Sequence, residues 1–270
     1  MNKKTDNIQA QFSGFYNTSH LFLKSIFGMQ PLLKPKGKCP VFIGVGLDKI
    51  RLGQRVERFV TTELLEFNDI TILCENPQIQ TEKKHTIGEL DCLFLDGDQP
   101  VHLEIQFKYY LYDEALGDTE IEHCIGPMRR DSLIEKLNKL KEKQLPLLYA
   151  KETKPLLKSL KLKAEYFEQR IYFKAQLFIP YEKKVELKVL NPNCICGFYF
   201  KYSELSKFKD YKFYKPKKTD WLLDVTQNVS WKTYDKILPE LIIYEAEKYS
   251  PMLWLKTRNG EINKCFVVAW

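Results

Sequence analysis

The stretch GELDCLFLDGDQPVHLEIQFKYYL, residues 88–111, decides how the rest of the chain is read. Leu90, Cys92 and Phe94 alternate with Glu89, Asp91 and Leu93, and Leu103, Ile105 and Phe107 alternate with Glu104, Gln106 and Lys108. A period of two is the signature of β-strands. The intervening Asp96-Gly97-Asp98-Gln99 is made of turn formers, and a loop of that length suits a hairpin. Strands over 86–95 and 101–111 are therefore predicted to pair antiparallel. Closing the turn there sets Leu95 opposite Pro100, Asp91 opposite Glu104, Glu89 opposite Gln106 and Ile87 opposite Lys108. Directly opposed side chains stand ~4.5–5.5 Å apart at Cβ, where like charges repel. A slip of one residue would turn Leu103, Ile105 and Phe107 outward instead. The facing carboxylates thus need a cation: Lys108 further along the strand, or a divalent metal, which one or two carboxylates can hold. The plainer reading is a solvated face with ordinary surface charges.

Working outward, DKIRLGQRVERFVTTELLEF upstream places Leu52, Val56, Phe59, Val60 and Leu64 at helical spacing, with Asp48 as N-cap and Glu57 beside the apolar stripe. This predicts a helix over 49–66. DITILCENPQIQ follows as a strand region with a turn at Asn76-Pro77. Downstream, GPMRRDSLIEKLNKLKEKQ predicts a helix over 127–144 with Pro127 in the first position. Leu133, Leu137, Leu140 and Gln144 share one side, and Arg129, Arg130, Lys136 and further lysines make much of the remainder basic. RIYFKAQLFIP then reads as an apolar strand.

Residues 48–180 therefore run helix, three strands, helix, strand. Residues 1–47 read as an N-terminal arm with a helical piece around SHLFLKSIF. Residues 181–270 read as a β-rich C-terminal extension packed on the core, with a helix near ILPELIIYEAEKY and a hairpin turning at Asn259-Gly260.

Composition excludes several classes. The chain has 270 residues, 44% apolar and 29% charged, which fits a soluble globular protein with a sizeable core. The seven cysteines show no C-x-x-C pair, so reduced, mostly buried thiols in a cytoplasmic protein are expected. An N-terminal apolar targeting stretch is not seen, and no 18-residue apolar run predicts a membrane span. P-loop, G-x-G-x-x-G, G-x-S-x-G and H-E-x-x-H motifs are missing, which weakens ATPase, dinucleotide-enzyme, serine-hydrolase and zinc-protease readings. The net charge of +7 suits an anionic partner.

The helix–strand order resembles the PD-(D/E)xK nuclease superfamily, which has an α-β-β-β-α-β core built on a restriction-endonuclease-like mixed sheet. That resemblance implies an α/β (α+β) fold. It also implies a site in which Asp91, Glu104 and Glu57 bind Mg²⁺ or Mn²⁺. The superfamily lysine would fall at Gln106; Lys108, one strand period further on, is the candidate replacement. Glu89 is an outer candidate. More narrowly, the segments from LGQRVE to QLPL resemble the domain-of-unknown-function 1853 family of bacterial proteins. The implied function is metal-dependent, nuclease-like hydrolysis of DNA or RNA phosphodiesters. Two alternatives stand beside it: an inactive nucleic-acid-binding protein of the same fold, and an interaction scaffold whose carboxylates merely bridge to Lys108. Arg129, Arg130 and Lys136 on the second helix are candidate phosphate contacts. So are Lys207, Lys209 and Lys212 within the Lys- and aromatic-rich KYSELSKFKDYKFYKPKK. Solvated lysines with inward-turned aromatics are the bland counterpart.

Overall fold

In a computed structural model, residues 3–44, 47 and 50–270 are described, with side chains from residue 7 onward. The protein is mixed α/β with a large mixed sheet and several helices. It divides into two units. The first comprises residues 1–19, 108–134 and 175–270, the second residues 20–107 and 135–174. The expected N-cap Asp48 lies outside the described residues.

Helix α1 (Lys3–Asn17) belongs to the first unit and contributes Phe12 and Phe15, both fully buried. The helical piece expected around residues 19–27 is not formed. His20 bridges to Lys174 in an extended pairing, and Phe27 sits at positive φ, which a continuing right-handed helix excludes. A two-residue strand, β1 (Gln30–Pro31), pairs with the segment at Arg170–Ile171.

The second unit starts its core with α2 (Leu52–Leu64), shorter than the predicted 49–66. The Gln54 side chain accepts from the Arg51 N–H and caps its start. Val56, Phe59, Val60 and Leu64 are buried as the spacing predicts. Strand β2 (Ile70–Glu75) leads through the Asn76-Pro77 turn to β3 (Gln78–Gln80). Asn76 takes the left-handed conformation that asparagine tolerates better than most residues.

The hairpin itself is β5 (Cys92–Asp96) paired antiparallel with β6 (Gln99–Tyr112). Leu95 faces Pro100 as expected, and the ladder continues to Asp96 opposite Gln99. The turn is therefore only Gly97-Asp98, with Gly97 at φ +61°. At its other end the ladder stops at Cys92 opposite Leu103. The predicted strand 86–95 is broken at Leu90-Asp91. Its first half, β4 (Thr86–Glu89), turns away and pairs with β3 as a separate two-stranded ribbon. Glu89 thus faces Gln78 instead of Gln106, and Ile87 does not oppose Lys108. Burial explains the break: Ile79 and Leu90 join Leu93, Leu148, Leu157 and Phe167 in one apolar cluster, which a straight strand could not supply.

The predicted helix over 127–144 is also shorter. A two-residue strand, β7 (Cys124–Ile125), pairs with Leu111–Tyr112, and the chain turns at Gly126–Arg130 before α3 (Leu133–Lys139) begins. Pro127 therefore does not open the helix. A wider π-turn follows over Leu140–Gln144, then a tight turn containing Pro146 and α4 (Lys154–Ser159). Strand β8 (Glu168–Pro180) completes the second unit's sheet, in which β2, β5, β6 and β8 are successive neighbours.

In the first unit β8 continues beside β9 (Ile195–Lys201) in parallel. Strand β9 pairs in parallel with β12 (Ile262–Val268), which pairs antiparallel with β11 (Met252–Lys256); β10 (Lys212–Tyr214) closes the edge. The β11–β12 hairpin turns at Asn259-Gly260 as predicted, with Gly260 at φ +87°. Helix α5 (Tyr234–Ala246) sets Ile237 and Leu241 into the cluster formed with Phe200, Phe213 and Leu253. Cys92, Cys124, Cys194 and Cys265 are buried.

The left-handed turn at Gly97 yields the first prediction. Gly97→Ala forces a Cβ into a conformation L-residues avoid, at a cost of about 1 kcal/mol or somewhat more. Urea unfolding should show a correspondingly lower midpoint with an unchanged slope.

Candidate acidic site

Where the β5 ladder ends, Ile105 of β6 loses its cross-strand acceptor. The Asp91 side chain takes its place: Oδ2 accepts from the Ile105 N–H at 2.7 Å. That bond fixes the Asp91 carboxyl over β6, and the Asn76 N–H holds the Asp91 backbone by donating to its carbonyl at 3.0 Å. Glu104, one residue before Ile105, is 0% exposed. A solvated carboxylate face is therefore not what this strand presents. The Asp91 and Glu104 carboxyls come within hydrogen-bonding reach of each other, as the register predicted.

Burial and mutual proximity set their ionisation. Burial pushes the Asp91 carboxyl up to about 7, reinforced by the neighbouring Glu104. Glu104 is likewise pushed up to about 7, chiefly by burial. Two buried acids in contact behave as one titrating pair. Glu57 on α2 is raised as well, by burial first and then by Asp91, while a hydrogen bond from Asn76 Nδ2 to Glu57 Oε2 at 2.6 Å holds it down. The exposed Glu89 adds a smaller raising field at Glu57. Asp91 and Glu57 are partly open to solvent, whereas Glu104 is not. The approach is thus from their side.

The cation expected for this pair is not Lys108. Lys108 Nζ bonds Asp131 Oδ2 at 2.7 Å, so its charge is already matched. Lys136 on α3 supplies the field instead and lowers both Asp91 and Glu104. It donates to Gln144 Oε1 at 2.8 Å, and Gln144 Nε2 donates to Glu104 Oε2 at 2.6 Å. The π-turn over Leu140–Gln144 carries that amide onto the acid; extra turns of this kind recur at functional sites. The other Glu104 oxygen faces His102 Nε2 at 3.0 Å. Burial lowers His102 to about 4, so the ring is neutral at physiological pH. Gln169 Nε2 donates to Leu145 O at 2.6 Å and lies 3.0 Å from His102 Nδ1. Nδ1 must then accept, which leaves the ring proton on Nε2 to donate to Glu104.

Sequence reading found Glu57, Asp91 and Glu104 and missed His102, Lys136 as an acid partner, Gln144, Asn76 and Gln169. Two signals were present. His102 extends the Glu104–Gln106 polar face by one strand period, and Gln144 is a polar residue on an apolar helical stripe. Gln106 itself is half-buried on β6.

The candidate nucleic-acid contacts divide. Arg129 pairs with Asp113 and lies over the Trp270 ring at 3.9 Å, and Lys207 pairs with Glu204 at 2.9 Å. Arg130, Lys209 and Lys212 are exposed. Of the aromatics between them, Tyr202, Phe208 and Phe213 are core residues, so they offer no face to a base.

A family model, "Domain of unknown function (DUF1853)", matches residues 41–268. The chain belongs to the DUF1853 family. No curated protein and no solved structure matches it. The family match spans the acidic site of this DUF1853 chain and almost all of both units. Among the described residues, no helix is long and apolar enough to cross a membrane.

The raised acids make a signed prediction. Their folded titration near 7 lies above the ordinary values of 3.8 and 4.5. Between these limits the folded state holds more protons than the unfolded one, so stability falls as pH rises from about 4 to 7 and levels off above. Asp91→Asn keeps an acceptor for the Ile105 N–H and removes one charge. It should be more stable than the wild type by roughly 1–3 kcal/mol at pH 8 and about equal at pH 4, measured by urea unfolding without added metal.

Proposed function

We propose that this chain is a metal-dependent, nuclease-like phosphodiester hydrolase acting on DNA or RNA, with a site of the PD-(D/E)xK type. One observation carries the reading: two carboxyls, the half-buried Asp91 and the fully buried Glu104, are held together in the field of Lys136. Solvated surface charges do not adopt that arrangement, and perturbed acids of this sort concentrate at functional sites.

Among the described residues, no group of three or more His, Cys, Asp or Glu side chains is gathered as a ready metal cage. Mg²⁺, however, is commonly held by one or two carboxylates, with water and substrate phosphate completing its shell. The pair fits that pattern. The Glu104 oxygens are oriented by His102 and Gln144, and the Glu104 charge that raises Asp91 is what a cation would offset. Asp91 and Glu104 would hold Mg²⁺ or Mn²⁺, with Glu57 joining from α2; a bound divalent ion supplies water activation and offsets phosphate charge.

The chain's own residues do the rest. The Ile105 N–H fixes Asp91, and neutral His102 and Gln144 fix Glu104, so neither carboxyl reorganises on meeting the substrate. Lys136 lowers both acids toward ionisation at neutral pH and adds positive charge for an incoming phosphate. Gln106 offers an amide at the strand position where the superfamily carries lysine. The +7 net charge and the exposed Arg130, Lys209 and Lys212 suit a nucleic-acid partner. A second reading, an inactive nucleic-acid-binding protein, is favoured by Gln106 standing in the lysine position and by Lys108 being committed to Asp131.

Purified protein should cleave single- or double-stranded DNA or RNA only with Mg²⁺ or Mn²⁺, and millimolar metal should raise its melting temperature. Asp91→Ala should lose both effects, with activity down on the order of 100-fold or more, and Lys136→Met should lower the rate while shifting its pH optimum upward. Salt-sensitive binding without cleavage under every metal would instead establish the second reading. Absence of both binding and cleavage would sink the proposal.

A further inference from the structure

The first unit contains a cavity of about 250 Å³, lined by Lys264, Gln176, Cys196, Asn17, Asn193 and Asp224 among others. Its inner wall carries a buried charge, Lys264, which feels Asp224 across the cavity without touching it. Lys264 on β12 is 6% exposed, and its Nζ donates to two neutral acceptors, Gln176 Oε1 at 3.2 Å and the Trp221 carbonyl at 3.1 Å. An ammonium carries three donors. Among the described residues, no carboxylate lies within ion-pair distance of the third.

The second unit shows how this chain otherwise buries a lysine. Lys174, also fully buried, meets Glu63 Oε2 at 3.1 Å, and the same oxygen accepts from Tyr172 OH at 2.6 Å. A buried ion is costly unless it is paired. Among the described residues Lys264 has no carboxylate in contact, yet it lines a cavity that a carboxylate could enter.

The rest of the lining narrows the ligand. The Cys196 thiol donates toward Gln176 Oε1 at 3.6 Å. Asn17 and Asn193 bring neutral amides. The one carboxylate of the lining, Asp224, is exposed and accepts from Asn17 Nδ2 at 3.1 Å. Positive charge therefore stands at the inner wall and negative charge toward solvent. That polarity disfavours a dianion such as phosphate and suits a short molecule with a carboxylate at one end and an ammonium at the other. At that volume the cavity has room for a small free amino acid.

We propose that this cavity binds a small zwitterionic carboxylate of the free amino acid class, its carboxylate on Lys264 and its ammonium toward Asp224. The inference stands apart from the hydrolase reading and does not depend on it.

Calorimetric titration of the full chain with L-alanine, acetate and inorganic phosphate tests it. L-alanine should bind with millimolar or better affinity, acetate at least ~10-fold more weakly, and phosphate not at all. Lys264→Met should abolish binding of both carboxylates, and Asp224→Asn should bring L-alanine down to the affinity of acetate. Should Lys264→Met fail to fold, the wild type still decides. L-alanine should then shift upward the titration of the Lys264 ε-carbon resonance and leave that of Lys174 unchanged. Phosphate binding more tightly than L-alanine, no binding of any probe, or unchanged binding in Lys264→Met would each overturn the proposal. Equal affinity for acetate and L-alanine would overturn the amino acid assignment.

Discussion

Two acids that should repel are held in contact, one of them fully buried and the other half-buried. Asp91 and Glu104 are brought together by the end of a β-ladder, and the residues around them answer to that constraint. Where the strand breaks at Leu90-Asp91, the Asp91 carboxyl takes the Ile105 N–H that the ladder leaves open. The π-turn after α3 lowers Gln144 onto Glu104. His102 stays neutral and spends its proton on the same acid. Buried polar groups are tolerable only when their bonds are made, and here each acid oxygen with a resolved partner has one.

The network also explains why a lysine on a helix can stand in for one on a strand. What an acid pair needs from a cation is its field, and field depends on distance and desolvation rather than on sequence spacing. Lys136 lies 32 residues from Glu104 in sequence, yet it lowers both acids; Lys108, four residues from Glu104, answers to Asp131. In the hydrolase reading this relocates the basic partner of the site from β6 to α3, with Gln144 as the link between lysine and acid.

The two buried lysines of the chain make a useful contrast. Lys174 has Glu63, with Tyr172 bonding the same carboxylate, and reads as structure. Lys264 donates to an amide and a carbonyl, and faces a cavity with Asp224 on its lining. Desolvation lowers the pKa of both, Lys174 to about 8. Geometry, not the shift, separates them: one has its counter-ion built in and the other has room for one.

Periodicity and turn chemistry in the sequence determined the hairpin register, the pairing of Leu95 with Pro100, the β11–β12 turn and the buried stripe of α2. These are local properties, since side-chain alternation and left-handed glycines act over a few residues. The same register put Asp91 beside Glu104. Long-range competition decided the rest. Glu89 looked like a continuation of β5 because alternation persists through it, but burial of Leu90 and Ile79 against Leu148, Leu157 and Phe167 pulled β4 into another ribbon. Lys136 looked like one basic residue among many, since no spacing rule reveals which lysine of a helix will lie over an acid on a strand. Whether Glu104 faced water or the interior also lay beyond alternation, because both faces of β6 are covered there by elements distant in sequence. A chain encodes its turns and faces locally, and only packing decides which charges are left without water.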